Sequence, residues 1–105
     1  MTHVRIRFRP EARAEILEAR RWYEAQVRGL GRAFLAEFDA VIELVRVFPR
    51  MHRVITEDGE VHRALLRRFP FSLVYETLGD HEIVVLACRH IRQDEVDWST
   101  ERREG

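Results

Sequence analysis

The sequence predicts an α+β domain in which a helix hairpin packs on a mostly antiparallel four-stranded sheet, in the order β-α-α-β-β-β. Three observations carry this. Residues 3–9, "HVRIRFR", alternate strictly between apolar side chains and basic or polar ones. From 11 to 48 the apolar residues recur at helical spacing along one side, and from 61 to 89 the period returns to two in three separate segments.

Each element has its local reason. In the first strand Val4, Ile6 and Phe8 share one face and Arg5, Arg7 and Arg9 the other, the pattern of a half-buried strand. Pro10 suits the first turn of a helix, where a missing N–H costs nothing. Ala12, Ile16, Ala19 and Tyr23 then mark a helix to about Val27. "RGLG" breaks it, with Gly29 as a left-handed cap. Leu30, Phe34, Phe38, Val41 and Val45 form the stripe of a second helix that stops near Phe48, because Pro49 disfavours helix in the residue before it. Three strands follow at Val61 to Arg68, Phe71 to Thr77 and Glu82 to Arg89, joined by "FP" and by a Gly79-Asp80 turn. "IVVLAC" is continuously apolar and reads as a central strand shielded on both faces. "HIRQDEVDW" is expected to make one helical turn, and 99–105 to be a frayed tail.

At 105 residues one domain over 1–105 is expected, with a single core. No apolar run reaches the ~20 residues that cross a bilayer, and the N-terminus lacks a signal peptide's apolar stretch, so a soluble, cytoplasmic protein without membrane contact is expected. The lone Cys88 excludes an internal disulfide. A formal net charge of zero argues against a protein that works mainly by coating nucleic acid. All 18 basic residues other than histidine are arginine, which leaves no lysine as a pKa-tuned base. The charge is regional: five Arg against seven acids from Pro10 to Glu43, then six Arg against three acids from Arg46 to Arg68.

"EARRWYEAQVRGLGRAF" followed by "FP", then "HRALLRRFPFSLVYE" and "IVVLACRHIRQDEVDW", resembles the RelE/ParE superfamily of toxins from bacterial type II toxin-antitoxin systems. The resemblance runs from about residue 3 to 98 and keeps the order of segments. It implies a cytoplasmic growth inhibitor neutralised by an antitoxin encoded beside it, often on plasmids, where such pairs serve plasmid stabilisation. Two activities share the fold. RelE-like members are metal-independent endoribonucleases that cut mRNA on the ribosome, and ParE-like members poison DNA gyrase.

Cutting RNA through its 2′-OH needs a base, an acid and cations around the phosphorane. Of the set that the RelE-like resemblance implies, Arg63 and Arg92 match positions that carry basic residues, whereas Leu65 and Ser72 do not. Trp98 stands where a tyrosine would be, and its indole N–H transfers no proton at neutral pH. His90, whose ordinary pKa of about 6.5 suits acid-base work, joins Arg92 and Tyr75 as the candidate catalytic residues. With half the constellation missing, the ParE-like reading is preferred, and a degenerate member that still binds its antitoxin is a further alternative.

The arginines then read as a partner surface. In a strand over 61–68, Arg63 and Arg67 share the face of Val61 and Leu65, away from the helices, and Arg89 and Arg92 join them from the neighbouring end of the sheet. A solvated face that blocks edge pairing explains one or two of them, and an anionic partner explains four. The candidate target- and antitoxin-binding residues are therefore Arg63, Arg67, Arg89, Arg92 and Trp98. The expected partners are the antitoxin and gyrase, with ribosome and mRNA as the alternative, and a homodimer or a toxin-antitoxin hetero-oligomer stays open. Cys88 and His90, with His52 or His62 nearby, lack zinc-ligand spacing, so no metal or cofactor is expected. Trp22 reads as cover for the helix hairpin's edge, and Glu11, Glu15 and Glu18 as solvated charges.

Overall fold

The computed structural model of the chain describes residues 4–93 and 97–98; the tail expected at 99–105 lies outside them. The elements are β1 (Arg5–Phe8), α1 (Pro10–Gln26), α2 (Leu30–Val47), β2 (Arg53–Val54), β3 (Val61–Leu65), β4 (Phe71–Leu78), β5 (Glu82–His90) and a 3-10 turn at Ile91–Gln93. The helix hairpin on a mostly antiparallel sheet is as the sequence predicts, but among the described residues the sheet has five strands rather than four, in the order β1-β5-β4-β3-β2. The extra strand is β2, two residues long with both side chains exposed, too short to show an alternating pattern. It pairs Arg53 with Arg63 and Val54 with His62. β1 lies parallel to β5, which makes the sheet mixed.

The helices meet closely because Gly31, at the start of α2, has no side chain: a Cβ there would lie 2.8 Å from the Arg20 carbonyl oxygen. Gly29 has φ +90° and turns the chain between the helices. A Glu24 carboxylate from α1 accepts the N–H groups of Gly29 and Gly31, each at 3.0 Å, and so stands in for a side-chain cap on α2. Those two bonds hold its pKa below the usual carboxylate value.

The core has two compartments, one on each side of the sheet. On the helix side Phe34 and Phe38 of α2 and Ile16 of α1 pack against Leu73, Tyr75, Ile83 and Val85. On the far side Val61, Val74, Val84, Leu86 and Ala87 pack with Trp98 and Ile55. This explains the continuous apolar run in β5, which both layers cover. The β4–β5 pairing skips Leu86 at a bulge opposite Val74/Tyr75, so Leu86 and Ala87 both join the far-side cluster.

The second of the predicted strands ends earlier than expected, at Leu65 rather than Arg68. The chain leaves the ladder because Leu66 N–H turns back to the Phe71 carbonyl at 3.0 Å, and Glu37 of α2 takes the backbone N–H groups of Arg67 and Arg68. Among the described residues no helix is long and apolar enough to cross a membrane.

Candidate binding surface

A groove of about 890 Å³ opens at one end of the sheet, between α1 and the ends of β4 and β5. Trp22 and Tyr23 form one wall, Phe71 and His90 the other, and Arg89 and Arg92 stand at the side. Trp22 is 58% exposed, so it does not cover the hairpin edge as expected but shows a large aromatic face to solvent. Its ring meets Tyr23 edge-on at 5.1 Å, and Tyr23 in turn stacks on Phe34 at 5.6 Å. The exposed ring is thus backed by the core.

His90 is fixed from two sides. Its ring meets Phe71 edge-on at 5.5 Å, and its Nδ1 accepts the Arg92 backbone N–H at 3.1 Å. The proton of the neutral ring therefore sits on Nε2. Arg92 itself is exposed on the 3-10 turn.

Glu15 is not the solvated charge the sequence suggested. β1 pairs with β5 only as far as Val85, and beyond that point Glu15 replaces the missing strand: its carboxylate accepts the Cys88 N–H and the Arg89 Nε–H, both at 2.9 Å. Burial, with Glu15 beside it, pushes the Cys88 thiol up to about 12, which removes it as a nucleophile at neutral pH. Arg89 also lies 5.3 Å over the Trp98 ring. Trp98, expected on a partner surface, is 4% exposed and packs inside the far-side core.

The four arginines do not converge. Arg63 lies half-buried on the far face of the sheet, beside Val74 and opposite Arg53. Arg67 has left the sheet and is exposed in the β3–β4 turn, so the two do not share a strand face. Arg68 is held near Glu37 at 3.7 Å and over Phe69 at 5.8 Å. Arg92 belongs to the groove on the helix side.

Tyr75 is in a different place again. It is fully buried on the helix side of the sheet, four residues along β4 from Phe71, or roughly 13 Å at strand rise. Its hydroxyl donates to the Pro49 carbonyl at 2.7 Å, which leaves His52 Nδ1, 3.2 Å away, to donate to it. The His62 ring stacks on Tyr75 at 5.1 Å and its Nδ1 donates to the His52 carbonyl at 3.0 Å. Burial raises the Tyr75 pKa well above its ordinary value. The sequence offered no sign of this cluster, since His52, His62 and Tyr75 meet only once the loop after α2 folds over β3 and β4. Among the described residues no group of three or more His, Cys, Asp or Glu is placed to hold a metal ion.

The model of the ParE toxin family, described as the toxin of the type II toxin-antitoxin system parDE, matches residues 6–95. A solved chain from the chromosomal ParDE toxin-antitoxin system of P. aeruginosa has the same fold, with TM-score 0.61 and 20% identity over 83% of this chain and 95% of that one. No curated protein matches the sequence. Helix hairpin, mixed sheet and a family match over residues 6–95 agree, and the chain belongs to the ParE toxin family of type II toxin-antitoxin systems.

Proposed function

We propose that this chain inhibits growth in the cytoplasm by binding and poisoning DNA gyrase, and that a cognate antitoxin neutralises it. One observation carries binding over catalysis: of the candidate catalytic residues, Tyr75 is kept apart from His90 and Arg92. Tyr75 is buried with its hydroxyl committed to Pro49, while His90 and Arg92 lie at the other end of β4. A substrate held against His90 and Arg92 in the groove would lie out of reach of the buried Tyr75 hydroxyl, so the three candidate catalytic residues do not act on one position. What the groove offers instead is an exposed indole, a fixed imidazole and an exposed guanidinium, a set suited to holding a protein or phosphate surface. Arg92 and Arg67 are the exposed members of the arginine set and are the first contacts to test, Arg92 for the target and Arg67 for an acidic antitoxin segment.

The test is induction of the chain in cells, followed in the first minutes by gyrase-linked DNA breaks and by protein synthesis. DNA breaks are expected first, with translation unaffected at that stage. Arg92→Ala should reduce the breaks, and Tyr75→Phe should leave them unchanged in the fraction that folds. An early stop in translation with mRNA cleavage and no DNA damage would overturn this reading in favour of a ribosome-dependent mRNA endoribonuclease.

A further inference from the structure

Helix α2 has a second apolar stripe on the side that faces away from the core. Ala36, Ala40, Leu44, Val47 and Met51 follow one another at spacings of three or four residues, and all are exposed, Leu44 at 47%, Val47 at 60% and Met51 at 59%. α2 ends at Val47, because Phe48 leaves helical geometry (φ −128°, ψ 71°), and a turn closed by the Met51 N–H on the Phe48 carbonyl at 3.2 Å sets Met51 in the same hollow as Val47. A surface helix ordinarily shows charge on this side. At its C-terminal end the stripe runs into a hollow of about 410 Å³ lined by Val47, Phe48, Met51, Val4 and Ile83.

We propose that this stripe joins two copies of the chain as an antiparallel helix pair, with the two-fold axis beside Leu44. The argument is that the stripe complements itself when read backwards. Its N-terminal half is small, Ala36 and Ala40, and its C-terminal half is large, Val47 and Met51. Antiparallel pairing about Leu44 puts Ala36 against Met51 and Ala40 against Val47 of the other copy, so bulky side chains meet gaps and the axes can approach. Charge follows the same rule. On the 3.6-residue wheel Asp39 and Glu43 border one flank of the stripe in its first half and Arg46 borders that flank in its second, with Arg50 in the turn that follows the helix. In an antiparallel pair each flank lies beside its own copy reversed, which brings Asp39 to Arg50 and Glu43 to Arg46 across the axis.

Within one copy these arginines already have neighbours. Arg46 lies 3.2 Å from Glu43 and bonds the Val4 carbonyl, and Arg50 lies 3.3 Å from Glu60. Both are solvent-exposed pairs of small worth, so exchanging one partner carboxylate for another costs little. A parallel pairing would turn the charged flank of each copy towards the opposite flank of the other, which carries Glu37 and Val41, and would lose these acid–arginine contacts.

The experiment is light scattering on the purified full chain without antitoxin, from about 1 µM to about 200 µM. The expected result is a concentration-dependent rise from the 12.6 kDa monomer towards twice that mass. Leu44→Glu should weaken the dimer by about tenfold or more. Asp39→Arg and Arg50→Asp should each weaken it alone, and an equimolar mixture of the two should restore it, since every like-charged contact then becomes an opposite one. Circular dichroism on each variant confirms the helices. A wild type that stays at 12.6 kDa throughout, a dimer that none of these changes affects, or charge variants that fail to rescue each other would overturn the proposal. So would a monomer whose Leu44 and Val47 become protected only on adding an acidic antitoxin peptide, which would assign the stripe to the antitoxin.

Discussion

His52 shows what a single side chain contributes when burial and hydrogen bonding act together. Its Nδ1 donates to Tyr75, its backbone carbonyl accepts from His62, and the loop after α2 is held to the sheet through it. Burial, and secondly the His62 ring nearby, holds its pKa below the ordinary histidine value. A histidine with a lower pKa in the folded state than in the unfolded one favours folding as the neutral ring. Its contribution is complete above the unfolded value of about 6.5 and is lost as pH falls from there towards the folded value. The midpoint of urea unfolding is therefore expected to drop between pH 7 and pH 5, and His52→Gln should flatten that drop. Equal slopes in both proteins would place the pH dependence elsewhere. His62 adds to the same cluster a buried Nε2 with no partner among the described residues.

At the scale of the element, β5 depends on a side chain from outside the sheet. Past Val85 its outer edge has no strand beside it among the described residues, and Glu15 from the second turn of α1 satisfies the Cys88 N–H while anchoring Arg89. Removing the carboxylate leaves a part-buried N–H without its acceptor and releases a guanidinium from its partner. Glu15→Ala is expected to cost about 1–3 kcal/mol, read from the urea midpoint at constant slope. Glu15→Gln, which keeps an acceptor oxygen for Cys88, should recover part of the loss. Arg89 also covers Trp98, so Glu15→Ala should shift the fluorescence of that indole as well.

For the whole molecule the decisive feature is that one sheet carries a core on each side. Leu73 and Val85 face the helices, while Val74 and Val84 face Trp98, and all four belong to the same two strands. Neither core can be lost without the strands that the other needs, so unfolding should be one cooperative step. Phe34 tests this, being fully buried among Tyr23, Phe69 and Phe71 on the helix side. Phe34→Ala is expected to cost about 3–5 kcal/mol. In a Trp22→Phe background the loss should appear equally in far-ultraviolet circular dichroism, which reports the helices, and in Trp98 fluorescence, which reports the opposite side. Separate midpoints would show that the two cores melt independently.

Periodicity alone determined both helices, the strands β1, β3, β4 and β5 and the layer they form, because burial on one side repeats every 3.6 or two residues and is written along the chain. Gly29 and Pro10 marked the ends by backbone sterics, which are equally local. The site was less legible, because it depends on where side chains from distant elements meet. Arg63 and Arg67 look like one strand face in the sequence, and only Glu37, reaching from α2 to the backbone of Arg67, shows that the strand has ended between them. Trp98 looks like a surface aromatic in a charged tail, yet the far side of the sheet needed an apolar cover and took it. Glu15 reads as one more helix-surface acid until β1 stops short and leaves Cys88 in need of an acceptor. These three outcomes were decided by hydrogen-bond and burial requirements that arise only when the strands are side by side.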